Sequence, residues 1–579
     1  MSSLSSLVRS IADQLRGVYR PQRYADVILP MTILRRLDCV LTAHRDAVAN
    51  VLRATPDEQS CDALVRAKTG LPFSNASSWS FSRLTDDPRR LEIDLVDYIA
   101  GFSKNIDMFA RLRFADEIHR LAEKNRLLIV VRRFADVDLH PDRVGNAAMG
   151  DLFEELIRTF AEASDEISGE HFTPRDVIRL VVDLLLAGGG ETVAGPGGMP
   201  TVYDPTAGTG GMLCTADERL REIDSDTHPR LYGQEINDKS YAICKSDMIV
   251  RGQDASNIRL GDTLAEDLFA GQTFDYCLAN PPYGVDWRAS RDAVARHIRD
   301  AGERSRFPGG LPPVNDGQML FLQHLVTKMR PAGEGGGRAG IVLSGSPLFA
   351  GGAGSGPSEI RRWLLEHDLI DAIVALPTDM FSHTGIATYV WILDNAKHVD
   401  RAGTVQLIDA TGFFTRMRQS LGRKNREIAE GDRRSILELY GAHSSNEHSR
   451  ILPTDAFAYW KITVERPLRD QRDEIVRDRR GNAKADPKLR DTENVPFGYG
   501  GNEQGRRAED AVIQAYVDTE VAGHLPDAWV DAAKTKIGYA IPFTRHFSLH
   551  TAPRPLEEIE RDLDALTGEI LELLGQARR

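Results

Sequence analysis

The sequence predicts an α/β fold: a sheet with helices on both faces, preceded by a helical N-terminal domain and followed by a helical C-terminal tail. Three observations carry this. From about 200 to 410, short Val/Ile/Leu runs alternate with helical stretches. Before about 140, apolar residues recur every three or four positions. Beyond about 554, an apolar seam runs with spacings of 3 and 4. The chain has 579 residues, 41% hydrophobic and 27% charged, with a net charge of −13. Ordinary globular usage of this kind excludes a collagen-like, bulk-disordered or disulfide-stapled chain. An acidic chain is not an electrostatic coat for nucleic acid, so any DNA contact must come from local patches or from a partner.

Residues 1–140 read as a helical domain, with Ile28, Met31, Leu34, Leu37, Val40 and Leu41 on one stripe and a loop at Leu71-Pro72-Phe73-Ser74. Residues 145–410 read as the α/β domain. Its strand candidates are Thr201–Tyr203, Phe274–Leu278, Gly340–Leu343, Ile370–Leu376 and Thr388–Leu393. Residues 411–510 are rich in Arg, Asp, Gly and Asn and read as an extended insertion with basic stretches. Residues 511–579 end in a helix whose seam is Leu556, Ile559, Leu563, Leu566, Ile570 and Leu573. That helix either docks on its own domain or pairs with a partner, and its charged flanks suit the second. No internal repeat is found. The N-terminus has no unbroken apolar core and no stretch is long enough to span a bilayer, so no membrane partner is expected. The five cysteines form no CxxC pair, which fits the reducing cytoplasm and predicts no metal site.

The first chemical motif is Asp204-Pro205-Thr206-Ala207-Gly208-Thr209-Gly210-Gly211, a strand end running into a glycine-rich turn. Glycine lets backbone approach a ligand without a Cβ clash. The spacing is neither GxGxxG nor GxxxxGK[ST]. The acid before the turn repels phosphate and suits a cationic ligand. Glu235, ending the next strand candidate, can accept ribose hydroxyls. Asp262, in Gly261-Asp262-Thr263, can meet an adenine amino group. The most specific motif is Asn280-Pro281-Pro282-Tyr283 after an apolar strand. Two prolines stiffen the turn. The Asn280 side chain and the Pro281 carbonyl offer acceptors for a planar NH₂ group, and Tyr283 offers a face for a base. Residues 288–306 hold six arginines against three acids, and residues 416–434 hold six arginines and Lys424 against three acids. Both stretches are candidates for phosphate contacts.

These motifs resemble those of the adenine-specific amino-methyltransferases of DNA. The resemblance extends to the modification subunit of type I restriction-modification enzymes through Gly169–Arg175, Asn315–Gly317, Ser344–Leu365, Phe381–Ala387, Ile28–Asp38 and Ile537–Arg545. It covers nearly the whole chain. It implies a Rossmann-like S-adenosylmethionine-dependent methyltransferase domain acting on N6 of a flipped adenine. It further implies that Glu170, His171, Phe172, Thr173, Pro174 and Arg175 line the methionine side of S-adenosyl-L-methionine. Thr206, Ala207 and Gly208 form the turn against it with Asp204 behind, Glu235 takes the ribose, and Asn280, Pro281, Pro282 and Tyr283 hold the base. The implied partners are double-stranded DNA, a specificity subunit carrying two modification subunits, and a motor-nuclease subunit. Alternatives are an adenine methyltransferase of another phage-defence system, a protein-glutamine methyltransferase, whose pocket also uses Asn-Pro-Pro-Tyr, and a non-catalytic scaffold.

Overall fold

The computed structural model describes residues 10–54, 58–146, 148–150, 153, 156, 173–188, 199–382, 384–501, 509–547 and 561. Glu170, His171, Phe172 and the seam at 556–573 lie outside the described residues. Met1–Ile541 forms one compact unit and Pro542–Arg579 another.

The N-terminal part of the first unit is helical, as its periodicity predicts. The helix Ala25–Thr42 buries all but a few of its residues, and its neighbours Phe114–Glu123 and Leu127–Ala135 each bury one apolar face. Ala242, Ile243 and Ile249, on the helix Asp238–Val250 of the α/β part, belong to the same apolar core. Two charged contacts reinforce that junction. Lys245 Nζ meets Asp107 Oδ1 at 2.6 Å, and Arg111 meets Asp238 at 2.9 Å. Arg36 is only 2% exposed. Its guanidinium donates to the Val144 carbonyl and to Asn146 Oδ1, both at 2.7 Å, which satisfies a cation that burial would otherwise penalise.

The main sheet has nine strands: β1 Thr201–Asp204, β2 Arg230–Glu235, β3 Ile258–Leu260, β4 Tyr276–Ala279, β5 Arg338–Ser344, β6 Ile370–Ala375, β7 Thr388–Asp394, β8 Thr404–Asp409 and β11 Ser449–Pro453. Between the last two in sequence lies a hairpin of β9 Thr415–Leu421 and β10 Lys424–Glu427. The order across the sheet is β11-β8-β6-β7-β5-β4-β1-β2-β3. β4, β5 and β6 are buried at every position, which requires helices on both faces. β1 is parallel to both β2 and β4, so the strand order reverses beside β1. In open α/β sheets such a switch point opens a crevice at the carboxyl ends of the strands.

Residues 411–510 carry more regular structure than an extended insertion. β11 pairs antiparallel with β8 and joins the main sheet. The helix Glu430–Ala442 buries Ile436 and Tyr440 in the core shared with Val177–Leu186. A second sheet is centred on β12 Ala458–Glu465, which pairs with β13 Asp491–Pro496, β14 Trp529–Val530 and β15 Lys536–Tyr539. Composition hid these strands because their exposed faces are polar. Trp460 is fully buried and stacks on Phe497 with ring centroids 4.0 Å apart. The buried Arg361 ties this sheet to the helix Gly356–Glu366 by donating to the Tyr539 carbonyl at 2.6 Å and to the Pro347 carbonyl at 3.0 Å.

Candidate active site

β1 ends at Asp204, and the chain turns through Pro205–Gly210 into the helix Gly211–Ile223. Gly208 has φ +54° and Gly210 φ +92°, a left-handed region that side chains with a Cβ disfavour. The Gly208 N–H donates to Glu235 Oε2 at 2.8 Å, and Glu235 Oε1 accepts from the Asn237 N–H at 2.7 Å. Glu235 thus fixes the glycine turn and keeps one lone pair per oxygen for a ligand. Asp204 is 1% exposed and accepts from the Thr206 N–H at 2.9 Å. Burial, with a smaller push from the Glu235 charge, raises its pKa to about 7.

β4 ends at Ala279, beside β1, so Asn280 emerges at the switch point. Asn280 Nδ2 donates to Thr173 Oγ1 at 2.7 Å, and its Oδ1 accepts from the Tyr283 hydroxyl at 2.6 Å. Thr173 therefore joins the sequence-predicted residues 173–175 to the Asn280 corner. Tyr283 does not lie open as a stacking platform. It packs against the core and meets Phe381 edge-on at 6.1 Å. Desolvation pushes its phenol well above the usual range, so it stays a donor. Pro281 is buried and Pro282 exposed. Pro174 caps the helix Arg175–Ala187, and Arg175 approaches Glu218 at 3.7 Å.

Asp262 follows β3. Its Oδ1 accepts from the Leu264 N–H at 2.9 Å and its Oδ2 from the Ser290 hydroxyl. The loop after it is clamped from within by Arg306, which donates to the Thr263 carbonyl at 2.6 Å and the Leu264 carbonyl at 3.1 Å. Arg306 also reaches His324 Nδ1 at 3.3 Å. Burial and the neighbouring cations hold His324 well below its ordinary pKa. Neutral His324 then presents Nε2–H to the Tyr203 hydroxyl at 3.1 Å.

These pieces enclose one cavity of about 290 Å³. Thr173, Asp204, Thr206, Ala207, Gly208, Glu235, Asp262, Asn280 and Pro282 line it, while Pro281 and Tyr283 do not. Its described lining holds the carboxylates of Asp204, Glu235, Asp247, Asp262 and Asp286 and no lysine or arginine. An acid-lined pocket attracts a cationic ligand and rejects a phosphate-rich one. Sequence reasoning missed Ile236, Trp287, Ser290 and Asp286. Ile236 is 65% exposed beside Glu235, an apolar face for a planar ring. The signal was an apolar residue directly after a strand-ending acid.

The two basic stretches are mixed. Arg306 is the buried clamp. Lys424 is buried and binds Asp176 at 2.9 Å, and Arg433 pairs with Asp183. These three hold the fold and face no phosphate. Arg291, Arg296, Arg299, Arg416, Arg418 and Arg423 stay exposed.

Fold and site together define a Rossmann-like methyltransferase fold with an added helical N-terminal domain. Residues 145–461 match the N-6 DNA methylase family, and residues 4–134 match the HsdM N-terminal domain. The first match spans more than half of the chain, and the chain belongs to the N-6 DNA methylase family. It is similar to the methylase subunit of the type I restriction enzyme MjaIX of Methanocaldococcus jannaschii, at 26% identity over 323 residues, 55% of this chain and 53% of that one. It is also similar to the MpnII methylase subunit of Mycoplasma pneumoniae, at 29% identity over 305 residues and 51% of each chain. The chain thus spans about half the length of the curated relatives it matches. In fold it resembles the type I restriction-modification methyltransferase subunit from Streptococcus thermophilus, with a TM-score of 0.59 and 23% identity over 78% of this chain and 96% of that one. Among the described residues no helix is long and apolar enough to cross a membrane.

Proposed function

We propose that this chain is the modification subunit of a type I restriction-modification system. It transfers a methyl group from S-adenosyl-L-methionine to N6 of an adenine flipped out of double-stranded DNA. A separate specificity subunit selects the site and carries two such chains, and a motor-nuclease subunit completes the assembly. The methylation protects host DNA, and the protein works in the cytoplasm. The observation that supports this best is the meeting of Asn280 with an acid-lined, glycine-edged cavity at the β1/β4 switch point.

The pocket suits the cofactor. Glu235 has lone pairs left for ribose hydroxyls, Ile236 offers an apolar face to the adenine, and the Asp262 loop closes that end. The carboxylates suit the charge of a sulfonium. Glu170–Arg175 complete the methionine side. When bound, S-adenosyl-L-methionine supplies a methyl group already activated on sulfur, so neither a metal nor a covalent enzyme intermediate is required.

The chain's own work is alignment and electrostatics. A target amine is planar and its lone pair is drawn into the ring. Asn280 Oδ1 and the Pro281 carbonyl accept its two N–H bonds and direct the lone pair out of plane. In the structure Oδ1 holds the Tyr283 hydroxyl at 2.6 Å. Base entry exchanges that hydroxyl for the amine and releases Tyr283 to stack. The proton lost from the methylated amine leaves through the Asn280 corner to solvent.

The test is to sequence methylated bases in DNA from cells expressing this chain with and without its neighbouring specificity gene. N6-methyladenine at one short sequence motif, only when both are present, is expected. Methylation without the specificity gene, or none with it, overturns the reading.

A further inference from the structure

The connection between β12 and β13, residues 466–490, is built from three consecutive eight-residue units. The repeat escapes notice in the sequence because the units agree in backbone more than in side chains. They run 467–474, 475–482 and 483–490. Each places an aspartate at its fourth position and a basic residue at its sixth: Asp470 and Arg472, Asp478 and Arg480, Asp486 and Lys488. In each unit the aspartate Oδ1 accepts the basic residue's own N–H, at 2.8, 2.8 and 2.9 Å. Each also closes a turn from its fourth carbonyl to its seventh N–H. The second positions form a closed ring. Leu468 donates to the Lys484 carbonyl at 2.7 Å, Lys484 to Val476 at 2.8 Å, and Val476 to Leu468 at 2.8 Å. Asp473 at φ +65° and Gly481 at φ +85° mark the first two turns, and the third leads into β13 instead. The result is a small pseudo-threefold module.

Its charges divide by position. At the base, Arg466 and Arg469 bind Asp527, and Arg490 binds Glu465. Among the described residues, Arg472, Arg479, Arg480, Lys484 and Lys488 have no carboxylate partner, and all five are exposed. The three aspartates keep their charge while they cap the turns, and with Asp473 and Glu474 they leave residues 467–490 with eight basic side chains against five acidic ones, a net +3. An acidic chain therefore carries a compact cationic projection separate from the two basic stretches near the pocket.

We propose that this module is a contact for the sugar-phosphate backbone of double-stranded DNA, made without reading sequence. The inference rests on the DNA-methyltransferase reading above. A protruding set of unpaired arginines and lysines complements a polyanion, and arginine's planar fork fits phosphate oxygens. Each phosphate contact steepens the fall of affinity with salt by about 0.9 in log–log slope.

The test uses the full chain and a short labelled duplex, with anisotropy read across a salt series. The variant replaces Arg472, Arg479, Arg480, Lys484 and Lys488 by Gln. Its slope is expected to be shallower by about 3 or more, with S-adenosyl-L-methionine affinity and thermal unfolding unchanged. Arg472→Lys with Arg479→Lys and Arg480→Lys keeps the slope, because the slope counts the phosphates neutralised whether arginine or lysine neutralises them. A slope that also disappears in the lysine set overturns the proposal. A five-glutamine variant that binds like the unmodified chain overturns the module's assignment and leaves the methyltransferase reading standing. A variant that binds DNA normally but no longer assembles with the specificity subunit, by light-scattering mass, assigns the surface to an acidic protein instead. Absence of duplex binding and of methylation by the unmodified chain with its specificity subunit overturns the underlying reading and this inference together.

Discussion

Asn280 and Asp204 carry the two sharpest predictions. Asn280→Ala removes the acceptor proposed for the target amine and touches no backbone of the glycine turn. Methylation is expected to fall at least about 10²-fold, the scale for deleting one preorganised polar group that stabilises a transition state. Calorimetric affinity for S-adenosyl-L-methionine should change little, and near-normal methylation would remove Asn280 from the mechanism. Asp204 sets a pH dependence. Its folded pKa of about 7 exceeds the ordinary carboxylate value, so the native state binds this proton more tightly than the unfolded one. The resulting stability is fully present below the unfolded pKa and is lost as pH rises through about 7. A cationic ligand favours the carboxylate. Its affinity should therefore rise from about pH 6 to pH 8, with uptake of a proton by the buffer near neutrality. Asp204→Asn keeps the acceptor for Thr206 and should flatten both trends. Calorimetry in buffers of different ionisation enthalpy reads the released proton directly.

At the scale of elements, the site is a meeting of strand ends, each stiffened by the turn beyond it. Gly208 at φ +54° feeds its N–H to Glu235, so a Gly208→Val variant must strain the turn and unseat that bond. It should lose cofactor binding while the sheet still folds, as far-ultraviolet circular dichroism and calorimetry together would reveal. The loop at Asp262–Leu264 depends on Arg306. Arg306→Met leaves two buried carbonyls and His324 without their donor, a cost of about 1–3 kcal/mol. A lower denaturant midpoint and weaker cofactor binding should appear together, and a variant of unchanged stability would show the clamp to be idle. The glycine turn, Glu235 and the Asn280 corner were legible in the sequence because their chemistry is local and their residue types are restrictive. Arg306 was not. It stood in a basic run, and nothing local separates a buried cation from a solvated one. β11 was hidden for a related reason: Ser449–Pro453 is short and half-buried, and only its pairing with β8 makes it a strand. The eight-residue repeat left a thin trace, aspartates at 470, 478 and 486 each followed two positions on by a basic residue, but Leu468, Val476 and Lys484 share a backbone role and no chemistry.

Across the whole molecule, charge is segregated. The chain totals −13, yet exposed arginines gather after the Asn280 corner, on the β9–β10 hairpin and on the module between β12 and β13. The pocket itself is acidic. On the proposed function, this arrangement would separate two tasks, drawing in a cationic cofactor and touching a polyanion, by surface and not by net charge. Resemblance anticipated the order of the parts, while the physical division of charge needed the fold, since Lys424, Arg433 and Arg306 proved to be internal ties. The same division governs how the isolated chain meets DNA. With an acidic total and no groove-reading element apparent in the sequence, it should bind duplexes weakly and without sequence preference. These groups of surface arginines supply only the counterion-release term, so affinity should fall steeply and linearly in log–log form as salt rises. Adding the specificity subunit should create a preference among duplexes while leaving this chain's share of the salt slope in place. Competition between specific and scrambled duplexes at matched salt measures both quantities. Tight, sequence-selective binding by the chain alone would mean that one of its surfaces reads base edges, and would move target recognition from the partner to this protein.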